Sequence, residues 1–137
     1  MAQTETASHL DGERAALGYA LAPAATTSER VRGLLDIGLH ASELARVAGS
    51  VSVSAVRNWA ADQAEPRPHA AIALDDLRAV AKILLDSGME PRRIGHWLRG
   101  WNPLLENRPL DLIATVPMEV RRVAHAETLF AGTSAET

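Results

Sequence analysis

Proline and glycine cut residues 38–117 into short pieces, and the longest piece free of both runs only from Pro68 to Gly88. Within each piece the apolar residues recur three and four positions apart, which is the spacing of one face of a helix and not of a strand. Pro at a first helical position costs no hydrogen bond, because that N–H has no partner inside the helix. Gly just past the last turn can adopt the left-handed backbone that closes a helix. A chain punctuated this way is expected to be a set of short helices on tight connections. Composition agrees: hydrophobic residues make up 47% of the 137, yet Phe and Tyr occur once each and runs of β-branched residues are nearly absent. The fold class expected is all-α.

The first 27 residues are rich in Ala, Thr, Ser and Glu and hold no sustained period, so they are expected to form a mostly disordered tail. From Ser28, which is placed to cap a first turn, Val31, Leu34 and Leu35 follow a helical spacing. A second helix is expected from His40 or Ser42 through Leu44, Ala45 and Val47, stopping at Gly49. A third follows almost at once, capped by Ser52 or Ser54 and carrying Val56 and Trp59 inward. Helices this close, with a small residue at Ala45 and a turn glycine at Gly49, are the arrangement of a helix-turn-helix. Its domain is expected over residues 28–69, where "DQAEPRPH" makes the boundary.

With Val56 and Trp59 inward, Ser52, Ser54, Arg57 and Asn58 face solvent or a major groove, where Arg suits guanine, Asn suits adenine and Ser suits a phosphate or base edge. These four are the candidate DNA-binding residues. A bundle with ordinary solvated side chains is the competing reading. Five arginines balance five acids over residues 28–69, and the whole chain carries a net charge of −3, so one copy is expected to bind DNA weakly and a homodimer to be needed.

"GLHASELARVAGSVSVSAVRNW" resembles the Xre (lambda-repressor-like) helix-turn-helix family, with one more residue than that family usually places between the turn glycine and the hydrophobic of the recognition helix.

The remaining module, residues 70–132, is expected to begin with a long amphipathic helix ending at Asp86, its stripe made by Leu74, Leu77, Ala81 and Leu84 and widened by Ile72. Short helices started by Pro91, Pro109 and Pro117 follow, the last running to about Phe130, and residues 133–137 form a tail. Trp97 and Trp101 suit the helix junctions as core, and Leu129 and Phe130 suit either packing or a partner's cleft.

"IGHWLRGWNPLLENRPLDLIATVPMEVRRVAHAETLFAG" resembles the C-terminal toxin-binding domain of Xre/MbcA/ParS-like antitoxins. Trp97, Asn102, Leu105, Arg108, Pro109, Leu110, Asp111, Leu112 and Ile113 fill that pattern, although Arg108 abuts Pro109 and Pro103 follows Asn102. The resemblance implies the antitoxin of a type II toxin-antitoxin module. Such a protein neutralises a partner toxin, often an NAD-destroying one of the RES type, and represses its own operon through the helix-turn-helix. Trp101, Asn102, Leu105, Arg108, Leu129 and Phe130 are then the candidate partner-binding residues. A free-standing regulator whose second module only dimerises is the alternative.

Enzyme chemistry finds no support in the sequence. Cysteine is absent, and the five histidines stand at 9, 40, 69, 96 and 125 with neither i, i+4 pairs nor an HExxH, so no metal, cofactor or catalytic residue is expected. The N-terminus has no basic start before an apolar core and no apolar run is long enough to span a bilayer. The expected place of action is the cytoplasm, without a membrane partner.

Overall fold

The computed structural model describes the backbone of residues 12–136 and the side-chain surroundings of residues 12–128. The described residues form helices throughout, with one isolated antiparallel bridge between Asn102 and Asn107. The first helix, α1, covers residues 12–20. It is followed by α2 (Thr27–Asp36), α3 (Ala41–Val47), α4 (Val53–Ala60), α5 (Pro68–Asp86), α6 (Pro91–Arg99), α7 (Pro109–Leu112) and α8 (Pro117–Glu136).

Helix α1 corrects the expectation of a disordered tail for residues 12–27. Leu17 and Leu21 are buried in the core. The Arg14 guanidinium donates to Leu85 O at 2.5 Å and Met89 O at 3.1 Å, satisfying carbonyls at the end of α5. Residues 1–11 lie outside the described residues. At the other end α8 continues to Glu136, so the tail expected from residue 133 is helical backbone almost to the last residue.

Local chemistry sets most helix ends. Thr26 caps α2: its side chain accepts from Glu29 N–H at 3.1 Å, and the Glu29 carboxylate accepts from Thr26 N–H at 2.9 Å. Ser28, expected to be that cap, is instead buried and donates to Ala60 O at 2.6 Å, tying α2 to the end of α4. Of the two expected caps of α4, Ser52 and Ser54, it is Ser52 that caps, accepting from Ala55 N–H at 3.1 Å. Pro68, Pro91, Pro109 and Pro117 each stand at the start of a helix. Gly88, at φ +99°, ends α5; Met89 N–H then donates to Leu84 O at 3.2 Å.

One hydrophobic core runs through the described residues, from Leu17 and Leu21 in the α1 region through Val56 and Trp59 on α4 to Ile113 and Val120 beside α7 and on α8. It passes across the boundary at residue 69 without a break. Helix α6 lies so close to the α2–α3 junction that a Cβ built on Gly95 would overlap Ile37 O. Arg78 is buried although charged, and its guanidinium is satisfied there: it donates to Asp75 Oδ1 at 2.7 Å and to Leu21 O at 2.8 Å. Ile72, expected to widen the stripe, is exposed.

Candidate functional site

Helices α2 and α3 both pack on α4, and the three close on Val31, Leu34, Leu44, Val56 and Trp59. Gly49 takes φ +108°, as a turn glycine should, and the following Ser50 is also left-handed at φ +62°. The loop closes through Val51 N–H donating to Ala45 O at 3.1 Å, with Gly49 and Ser50 making the turn between α3 and α4. Ser54, Arg57 and Asn58 are exposed along α4, and Ser52 stands exposed at its start with its oxygen engaged in the cap. The four candidate DNA-binding residues are thus on one helix and its cap, with Val56 and Trp59 turned into the core.

The second surface is the segment between α6 and α8. Residues 100–108 form a tight loop: Asn102 N–H donates to Asn107 O at 2.9 Å, the Asn102 side chain accepts from Leu104 N–H at 2.9 Å, and Glu106 takes a left-handed φ of +52°. The Asn107 side chain accepts from Arg108 N–H at 2.7 Å, at the entry to α7. These hydrogen bonds fix the turns of the loop. Of its apolar side chains, Leu105 packs on the core while Trp101 and Leu104 stand 68% exposed.

Among the described residues, four of the six large apolar side chains that face solvent (Trp101, Leu104, Val116 and Met118) fall within residues 101–118. This concentration of exposed apolar side chains makes the segment the candidate interaction surface.

Sequence reasoning placed Trp101 as either core or partner contact, and it is on the surface, while Trp97 is the half-buried tryptophan. Leu104, Val116 and Met118 were missed as surface residues; their exposure depends on how the loop and α7 fold back, which no periodicity records. Asn102 spends its side chain within the loop, and Leu105 is half-buried, so these two shape the surface more than they offer free contacts. Arg108 is exposed. The side chains of Leu129 and Phe130 lie outside the described residues.

Ion pairs lock this segment to the three-helix unit. Arg99 on α6 grips Glu43 on α3 with two hydrogen bonds of 2.7 and 3.0 Å and donates also to Gly38 O at 2.8 Å. The Arg99 guanidinium, together with His40 N–H, holds the Glu43 carboxyl below its ordinary value, and Glu43 in turn raises Arg99. Arg46 on α3 stands 3.5 Å from Asp111 on α7.

Over 92 residues, 66% of this chain and 76% of the relative, the chain is 37% identical to the probable mycobacterial cidal antitoxin Rv3188 of Mycobacterium tuberculosis. This chain belongs to that antitoxin's family. No family model matches the chain, and no solved structure matches it. Among the described residues of this family member no helix is long and apolar enough to cross a membrane, and no group of three His, Asp or Glu side chains could hold a metal ion.

Proposed function

We propose that this protein is the antitoxin of a type II toxin-antitoxin module: it binds and neutralises a protein toxin through the segment between α6 and α8, and it represses its own operon through a helix-turn-helix formed by α3 and α4. The observation that carries this reading is its 37% identity to the probable antitoxin, over three quarters of that relative. The gathering of exposed Trp101, Leu104, Val116 and Met118 supports the toxin-facing role of the segment. The exposed Ser54, Arg57 and Asn58 on α4, opposite the buried Val56 and Trp59, support operator reading.

The three-helix unit is uncharged overall, so a homodimer supplies the second half-site. The toxin is an intracellular enzyme in this reading, with an NAD-degrading enzyme of the RES type as the first candidate, and the cytoplasm is where the two meet.

The test is co-expression with the neighbouring gene product that arrests growth when made alone. Growth returns with the parent chain and fails to return with Trp101→Ala/Leu104→Ala. If the parent restores no growth against any such product and forms no complex with it, the antitoxin reading is wrong. Operator binding is read separately, on a promoter fragment: Arg57→Ala abolishes the shift while its helical circular dichroism stays that of the parent. Undiminished binding by Arg57→Ala would remove α4 as the reading helix.

A further inference from the structure

A cleft of about 270 Å³ opens where α3 and the α3–α4 turn face α7. Val47, Leu110 and Ala114 supply its apolar lining, and Ser50, Arg46 and Arg108 its polar side chains beside the Glu43–Arg99 pair and Asp111. Its size is below that of cofactor pockets and suits a single side chain.

The charge around it is unbalanced. Glu43 is fully engaged by Arg99 in a two-bond pair. Asp111 is the remaining acid, 3.5 Å from an Arg46 side chain that is 72% exposed, which makes a loose pair. Arg108 makes no ion pair and no side-chain hydrogen bond to any described residue. Three arginines against two carboxylates leave one positive charge uncompensated at the mouth.

We propose that this cleft receives a carboxylate side chain of the partner protein, with Arg108 as its principal donor, Arg46 as the second, and Arg99 as a positioning residue that fixes α6 against α3. The proposal rests on the antitoxin reading and names the chemistry that its toxin presents. A planar guanidinium with parallel N–H groups matches a carboxylate in two-bond geometry, and the apolar lining suits the methylenes of a Glu or Asp stem. A run of nucleic-acid phosphates suits the site less well, because Glu43 and Asp111 lie in its walls and a phosphate backbone needs positive charge without interleaved acid.

Position supports the assignment. The Asn102–Asn107 bridge sets residues 101 and 108 side by side at the neck of the loop, so Trp101 and Arg108 leave the same short piece of backbone. A partner that buries Trp101 as its apolar anchor therefore brings its next side chains to the cleft, where a charge pair drawn out of water becomes strong and selective.

The experiment compares toxin binding by the parent, Arg108→Gln, Arg46→Gln and the control Arg92→Gln, using the purified neighbouring-gene toxin and two ionic strengths. The ¹⁵N Nε resonances of the arginines are followed while the free chain is titrated with N-acetyl-glutamate N-methylamide and, separately, its neutral glutamine counterpart and inorganic phosphate. The expected result is about tenfold weaker binding for Arg108→Gln, a smaller loss for Arg46→Gln, none for Arg92→Gln, and shifts at Arg108 and Arg46 with the glutamate compound but not the glutamine one.

If the parent binds the toxin and Arg108→Gln binds equally well, the proposal falls while the antitoxin reading stands. If the parent holds no toxin, both fall. Phosphate shifting Arg46 and Arg108 where the glutamate compound does not would overturn the carboxylate and point to DNA.

Discussion

Glu43 shows how one residue can carry both local and long-range structure. Its carboxylate accepts from His40 N–H at 2.8 Å, closing the first turn of α3, and from Arg99 across the molecule. Because Arg99 and the backbone hold its folded pKa below the ordinary 4.5, the stabilisation is fully present above about pH 4.5 and is lost as pH falls through the folded value. Glu43→Gln should cost about 1–2 kcal/mol at neutral pH, the worth of charge-assisted hydrogen bonds discounted for partial exposure. The gap between parent and variant should narrow as chemical denaturation is repeated at successively lower pH. A gap that stays constant down to acid pH would show that the carboxylate charge contributes nothing.

At the scale of elements, Gly95 decides how α6 sits. With the backbone of Ile37 and Gly38 against it, α6 has no room for a side chain at that position. Gly95→Ala gains nearly 1 kcal/mol of helix propensity, yet should destabilise by a net of about 1–3 kcal/mol, because backbone and not a pliable side chain must move. Thermal denaturation measures it, and an Ala variant as stable as the parent would mean that α6 docks more loosely. The starts at Pro91, Pro109 and Pro117 were legible in the sequence, and the cap of α4 was narrowed to Ser52 or Ser54, because these residues act through their own backbone neighbours; α5 begins at Pro68, two residues before the expected start. What depends on distant groups was not legible. Helix α1 offers too few apolar positions for a period, and it is held by Leu17 and Leu21 in a core built mostly from later residues and by Arg14 on carbonyls more than seventy residues away. Thr26 and Ser28 are both plausible caps by chemistry; the partner at Ala60 O draws Ser28 inward and leaves the cap to Thr26. The likeness of the α6–α8 segment to a toxin-binding pattern located the candidate surface, but which of its side chains reach solvent depends on the turns through Asn102, Asn107 and Arg108.

The described residues share one core where the sequence reads as two modules. A unit ending near residue 67 would leave Ile37, Leu39, Val47 and Ala48 without the α5 and α6 side chains that share their core, as well as removing the partners of Arg14 and Glu43. Small domains bury too little apolar surface to tolerate such a loss. The two surfaces should therefore unfold together. With Trp97→Phe and Trp101→Phe in place, the fluorescence of Trp59 on α4 reports the three-helix unit alone, while circular dichroism follows all the helices. The two urea transitions should coincide, and a fragment of residues 1–67 should lack a cooperative transition. Separate midpoints, or a fragment that melts sharply, would mean that the units stabilise themselves. Coincidence would bear on the proposed function: if a toxin binds at the α6–α8 segment as proposed, its binding should stabilise the α3–α4 pair through Arg99, Glu43 and Gly95 and raise the single midpoint seen by Trp59 as well.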